Sequence, residues 1–241
     1  MITAIAVTLS VVLVIDAAPA AAANRPAVIG SEVIGHSVQG RPIRAWHLGE
    51  HGRGIPTVVL ISTMHGDEAT VANILSSLRD GPRIHGVDLW VVPRYNPDGR
   101  AHHRRQNAHG VDLNRNYPAS WRRVTGTFNS GPRPASEPET RAMMAFLRQV
   151  RPDYVLSFHQ PLQGVDTLTK NKAFPRKVAR TLHLPIKKLS CNGGCHGTMT
   201  MWFNRHYTGQ ALTIEFGTEP SRAYLRGKTA DRVLHLFDAH R

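Results

Sequence analysis

Thr57-Val58-Val59-Leu60-Ile61-Ser62 is an uninterrupted run of mostly apolar, mostly β-branched residues, entered through Gly54-Ile55-Pro56. A strand that is apolar at nearly every position has no wet face, so it belongs inside a sheet covered on both sides. Downstream, Val71, Ile74, Leu75 and Leu78 recur at helical spacing, and residues 88–92 form a second buried strand. Residues 154–158 and 211–216 read as two more, with at least one helix between them near residues 173–184. Upstream, residues 32–37 and 42–48 read as two short strands around the turn Gln39-Gly40. Ser136-Glu137-Pro138-Glu139 reads as a helix start: Ser can cap, Pro suits the first turn, and acids favour the positive end of the helix dipole. Met143, Met144, Phe146, Leu147 and Val150 would be its apolar face, and a last helix is expected over residues 230–240. This alternation predicts an α/β fold, a single domain over residues 24–241 with a mostly parallel mixed β-sheet and helices on both faces. In such sheets sites gather where loops leave the strand ends. Residues 93–136, rich in Gly, Pro, Asn and Arg, form too long a connection to be passive.

Composition narrows the class. Hydrophobic residues make up 41% of the 241, enough for a real core and unlike a disordered chain. No repeat is visible. Residues 1–23 stand apart: Ile2 to Ile15 is almost wholly apolar, and Ala17-Ala18-Pro19-Ala20 followed by Ala21-Ala22-Ala23 offers small-residue cleavage sites, the pattern of a secretory signal peptide. No Lys or Arg precedes the run, and it is shorter than the roughly 20 residues of a comfortable bilayer span. No transmembrane span is therefore expected in the mature chain. Export would place Cys191 and Cys195 in an oxidising compartment, where the loop Asn192-Gly193-Gly194 gives a disulfide the freedom to close. A reduced pair serving redox or metal chemistry is the alternative. The formal net charge of +13 favours anionic partners in general. With basic residues scattered along the chain and no recognisable nucleic-acid module, no specific nucleic acid is expected. For an exported protein, electrostatic association with an anionic cell envelope fits better.

Three groups of residues carry chemistry. His65-Gly66-Asp67-Glu68 directly follows the opening strand, and an imidazole and a carboxylate three positions apart can reach one cation, with Gly66 easing the turn. His159 ends another buried strand. His65, Glu68 and His159 make a three-ligand set with a fourth position left for water, which catalytic zinc requires and structural zinc does not. Glu215 lies in the apolar strand Leu212-Thr213-Ile214-Glu215-Phe216, where an unpaired carboxylate would cost several kcal/mol. A salt bridge to an arginine would account for it; so would service as a general base toward water and then the leaving amine.

Gly110-Val111-Asp112-Leu113-Asn114-Arg115-Asn116-Tyr117-Pro118, with Asn96-Pro97-Asp98-Gly99, Arg105 and Ser136-Glu137-Pro138-Glu139-Thr140, resembles the M14 zinc carboxypeptidase family, over roughly residues 30–240 and in family order. Within it, the short length, HGDE, NPDG, GVDLNRN, SEPET and Ser157-Phe158-His159 look most like the murein peptide amidase branch, which cleaves the γ-D-glutamyl–diaminopimelate bond of bacterial wall peptides. The resemblance implies a zinc carboxypeptidase-like fold, one Zn2+ per chain on His65, Glu68 and His159, and Glu215 as general base. Arg105 matches the arginine that steadies the oxyanion. Asn114 and Arg115 match the pair that holds the substrate's terminal carboxylate. Asp112 would orient a zinc histidine from behind.

Two departures follow. Many family members carry a tyrosine in the loop before the catalytic glutamate, and residues 191–201 contain none. Asp67 stands where well-known members have Arg, and could meet an ammonium group of diaminopimelate. Thr198, Thr200 and Trp202 are expected to shape the side-chain pocket, and since they include no carboxylate they point away from a basic-residue carboxypeptidase. The expected partner is a peptide, most simply a cell-wall peptide, and the expected place is outside a bacterium or in its envelope. A carboxypeptidase on ordinary L-peptides, an N-acyl amino-acid deacylase and an inactive wall-binding module remain alternatives.

Overall fold

The computed structural model describes residues 25–189 and 195–241. The expected leader at residues 1–23 and Cys191 lie outside the described residues. In chain order the elements are β1 (Val28–His36), β2 (Pro42–Gly49), β3 (Thr57–Ile61), α1 (Ala72–Arg79), β4 (Asp88–Val92), α2 (Pro97–Ala101), α3 (Pro138–Val150), β5 (Tyr154–His159) and β6 (Gly164–Asp166). Then come α4 (Ala173–Leu182), β7 (Ile186–Lys187), α5 (Met199–His206), β8 (Gln210–Glu215), the short α6 (Arg222–Tyr224) and α7 (Ala230–His235). The strands form one mixed sheet in the order β1-β2-β4-β3-β5-β8-β6-β7. Its centre, β4-β3-β5-β8, is parallel throughout, and antiparallel pairings bring in β1 and β2 at one side and β6 at the other.

The opening stretch behaves as its composition requires. Val58 and Leu60 pack into one core with Ile74, Leu75 and Leu78 of α1 and Val233 of α7. Val59 and Ile61 pack into a second core with Met143, Phe146 and Leu147 of α3 and Phe203 of α5. A strand apolar at nearly every position thus feeds both faces through its two-residue period, each large aliphatic side chain contributing about 1.5–3 kcal/mol of transfer free energy. The same alternation puts Ser157 and His159 of β5, and Thr213 and Glu215 of β8, on the α3/α5 face.

Two expectations needed revision. Ser136 does not cap α3: its N-cap is Glu137, whose backbone N–H donates to Asn116 Oδ1, while Ser136 Oγ donates to Glu137 Oε1. The expected last helix stops at His235, because the chain turns back with Asp238 at φ 55° so that His85 and His240 exchange backbone hydrogen bonds of 2.9 and 3.1 Å. Several elements carried no sequence signal of their own: β6, β7, α2 and α6 are too short to show a period, and α5 sits in a stretch read only for its pocket residues. Among the described residues no helix is long and apolar enough to cross a membrane.

Candidate active site

The turn that carries His65 and Glu68 is held by the Asn96-Pro97-Asp98-Gly99 segment. Asn96 caps α2 by accepting from Gly99 N–H at 2.9 Å, and its amide donates to the carbonyls of Met64 and Arg105, both at 3.3 Å. The Gly66 N–H reaches the Arg105 carbonyl at 3.4 Å. Gly66 is required by this close approach, not by the turn: its φ is not positive, and a Cβ there would lie 1.9 Å from the Gly99 carbonyl carbon. Asp98, fully buried, accepts from Ser37 Oγ, Gln39 N–H and Arg41 and so fastens α2 to the β1–β2 turn.

From that turn the ligating atoms converge. His65 Nδ1 lies 2.7 Å from Glu68 Oε1, His159 Nδ1 lies 2.8 Å from Glu68 Oε2, and the two Nδ1 atoms are 3.3 Å apart. One ligand atom from each residue falls within 4.8 Å of the others, and all three residues are buried. The far ring nitrogens are taken up elsewhere: His65 Nε2 by Asp112 Oδ1 at 3.1 Å and His159 Nε2 by Ser157 Oγ at 2.8 Å. Pinning Nε2 leaves each Nδ1 as the ligating atom, the arrangement that orients metal-binding imidazoles. Burial opposes charge on His65, but Glu68 and Asp112 outweigh it and its pKa is pushed up to about 9. Burial would raise Glu68, yet His65 and His159 hold it well below the usual carboxylate range. Two imidazoles and one ionised carboxylate, buried and fixed from behind, form a donor set suited to zinc.

Around this cage a cavity of about 210 Å³ is lined by Arg105, Asn114, Arg115, Thr198, Thr200 and Glu215, among others. Glu215 ends β8 directly beside His159 in the parallel register. Burial raises its pKa, with Glu68 adding to the shift and His159 opposing it, and Leu162 N–H donates to it at 3.3 Å. Arg105 forks onto Asp112 Oδ2 through Nε at 2.9 Å and Nη2 at 2.8 Å, with Nη1 at 3.5 Å from Glu68 Oε1. Asp112 therefore serves His65 and Arg105 together, and also accepts from Asn114 N–H at 2.9 Å. Arg115 is 4% exposed and its Nε has no hydrogen-bond partner among the described residues. Its guanidinium and that of Arg105 both stand over the Phe128 ring, at 5.3 and 5.1 Å.

The 110–118 loop owes its shape to residues that never reach the cavity. Asn116 donates to the Ser130 carbonyl and to Ser136 Oγ, and Asn107 donates to Glu137 Oε2 and Glu139 Oε2. The SEPET segment is thus a clamp for the loop bearing Asp112, Asn114 and Arg115. Gly197, at φ 60°, closes the other side: a Cβ there would lie 2.2 Å from the Arg115 carbonyl oxygen.

Not every expected residue joins the cavity. Asp67 is exposed and does not line it. Trp202 lies behind it, packed against Tyr117 at 5.6 Å and Tyr207 at 5.4 Å. Conversely, the wall does hold a carboxylate beyond Glu68 and Glu215, which removes the argument against a basic ligand. Asp166, at the end of β6, is 5% exposed, accepts from Thr167 and Leu189 N–H at 2.7 and 3.3 Å, and has its pKa raised by burial. Phe128, Gln160, Leu162 and Leu168 also line the cavity and went unread in the sequence. A buried acid in so short a strand gives no periodic signal; only its three-dimensional neighbours mark it. Of the expected Cys191–Cys195 bridge, Cys195 lines the cavity and Cys191 is outside the described residues.

Comparison with known proteins fits this geometry. The family model described as zinc carboxypeptidase, Peptidase M14, matches residues 15–165. The chain belongs to the M14 zinc carboxypeptidase family. As a member it is a zinc metallopeptidase-type hydrolase. Murein peptide amidase A of Escherichia coli K12 is 32% identical over 175 residues, 65% of this chain and 69% of that protein. The crystal structure of murein-tripeptide amidase MpaA from Escherichia coli O157 superposes with a TM-score of 0.71 at 27% identity, covering 88% of this chain and 93% of that one. Carboxypeptidase A from Helicoverpa armigera shares the fold, with a TM-score of 0.69 at 17% identity over 88% of this chain and 68% of its own.

Proposed function

We propose that this M14 hydrolase is exported and removes a residue with a free carboxylate from cell-wall peptides, its target being the γ-D-glutamyl–diaminopimelate amide. The observation that carries this reading is the composition of one cavity: a cage suited to a metal, a buried base, a buried arginine whose Nε has no partner among the described residues, and a separate acid on the wall. A zinc ion on His65, Glu68 and His159, one per chain, would supply Lewis-acid charge and make water a stronger acid. Glu215, whose pKa burial raises, is suited to take a proton from the attacking water and return it to the leaving amine. Arg105, held by Asp112, presents fixed positive charge to the oxygen that gains charge at the scissile carbonyl. Arg115 Nε is a buried donor without a partner, a condition costing about 1–3 kcal/mol that a substrate carboxylate would relieve. Asn114 is oriented beside it by Met199 N–H, which donates to its Oδ1 at 3.1 Å.

Asp166 supports an amine-bearing leaving residue. Diaminopimelate carries a second ammonium on its side arm, and a buried acid above its ordinary pKa gains most when such a cation arrives. Asp67, exposed and off the cavity, is no longer the residue for this task. The same acid favours one alternative: an ordinary carboxypeptidase for C-terminal Lys or Arg. Residues 1–23 as a leader and a Cys191–Cys195 disulfide belong to the export reading. The test is to incubate zinc-loaded protein with a γ-D-glutamyl–diaminopimelate tripeptide and with L-peptides ending in Lys, Arg or Leu. Release of free diaminopimelate, lost in Glu215→Gln, is expected. Cleavage confined to L-peptides would replace the amidase assignment with the carboxypeptidase one.

A further inference from the structure

The arginines that look scattered in the sequence are gathered in space. On the α1 side of the sheet, an open groove of about 720 Å³ is lined by seven of them, drawn from positions as distant as 25 and 226. Arg25, Arg44 and Arg79 stand over the single ring of Trp46, at 5.1, 5.6 and 5.3 Å. Arg94 enters from the connection after β4, Arg100 from α2, and Arg222 and Arg226 from the C-terminal helical stretch. Among the described residues that line the groove the one acid is Asp80, already paired with Arg25 at 2.9 Å and Arg79 at 2.8 Å. Thr63 and Ala69, on either side of the His65–Glu68 turn, form part of its wall, yet no groove residue lines the catalytic cavity.

Such a site is costly without a ligand. Guanidiniums crowded into one concavity repel one another, and a single paired carboxylate leaves the repulsion largely in place. Stacking on Trp46 offsets part of it, each exposed cation–π contact contributing about 0.5–1 kcal/mol. What relieves the rest is a ligand bearing several anions in a row. Planar forks favour phosphate, whose oxygens accept two N–H bonds at once. Concavity fits a single chain better than a flat bilayer. The aromatic ring is already covered by guanidiniums, so it offers no platform on which bases could stack, as single-stranded nucleic-acid sites require.

We propose that this groove binds a linear, base-free phosphodiester polymer, anchoring the enzyme beside its peptide substrate while the cavity acts independently. Its failure and that of the amidase reading are separable, because the probe is a polymer and the readout is binding. The experiment measures anisotropy of fluorescent poly(glycerol phosphate) with the full protein over a range of salt. Arg44→Glu/Arg94→Glu/Arg222→Glu is expected to weaken binding at least about tenfold and to lower the salt slope by about three. An equal charge change at the exposed Arg148, Arg176 and Arg180 is expected to weaken it less than about threefold. The triple glutamine variant of the groove, which adds no acid, falls between them, so the result does not hang on a variant that misfolds. Peptide cleavage should be unchanged in all three. Equal losses in groove and control variants would overturn the proposal, leaving net charge as the whole effect. Tighter binding of single-stranded DNA with the same number of phosphates would assign the groove to nucleic acid and overturn it too. Recovery on anionic phosphatidylglycerol vesicles without binding of the soluble polymer would do the same for a membrane.

Discussion

The catalytic cavity and the arginine groove lie on either side of one short turn, and they treat charge in opposite ways. In the cavity nearly every ionised group has a partner: Glu68 answers to two histidines, and Asp112 to His65, Arg105 and a backbone N–H. The groove sets seven guanidiniums against one carboxylate. Compensation creates fixed geometry, because each paired atom is held at a single distance and angle; this is what preorganised chemistry needs. Lack of compensation creates a field instead, which suits a flexible polyanion that supplies its own register. Arg115 is the informative exception, an unpaired donor inside the compensated region and therefore the place where a ligand's charge belongs.

Variants that separate the two regions should break or sharpen this contrast. The largest effect expected is from Glu215→Gln, with kcat on a cleavable peptide falling about 10²–10⁴-fold while zinc content and polymer binding hold. A parallel loss of polymer binding would mean that the regions are not independent. Asp112→Asn removes the shared negative charge behind His65 and sets an amide donor against Arg105, and chelator competition should show zinc affinity lower by about 10–100-fold. Acid titration distinguishes the frames. Burial would raise Asp98, but Gln39 N–H, Ser37 and Arg41 hold it below the ordinary carboxylate range. Its contribution is therefore full above the unfolded carboxyl pKa of about 4 and lost as pH falls through the lower folded value. Asp98→Asn should flatten that acid limb in a fluorescence unfolding series.

Smaller effects test recognition. Asp166→Asn should reduce the preference for a diaminopimelate-ended over a neutral-ended peptide by about tenfold in kcat/KM, with the neutral substrate unaffected. Equal loss on both would make Asp166 a structural acid. Arg44→Gln alone should weaken polymer binding only about two- to threefold and leave cleavage untouched, since the field is the sum of many contributors.

Legibility followed the same division. The cage was readable because His65 and Glu68 sit three apart on one turn and His159 closes a strand whose apolar run is plain. Glu215 announced itself as a carboxylate in an apolar strand. The motifs were readable as motifs, but their work was not: Gly66 is there for the approach of Gly99, and Glu137 and Glu139 for Asn107. Asp166 gave no signal, and its task fell to Asp67 on adjacency alone, although adjacency to a ligand in sequence says little about which wall a side chain joins.

By itself the sequence determined the central strands, their two-sided burial, the family and the candidate metal-ligand trio, because these rest on local period, on short motifs and on a histidine that closes an apolar run. Only the tertiary structure decided which acid enters the cavity and where the surplus positive charge collects. Those outcomes depend on contacts between residues far apart in the chain, such as Arg25 with Arg79 over Trp46, and no local pattern encodes them.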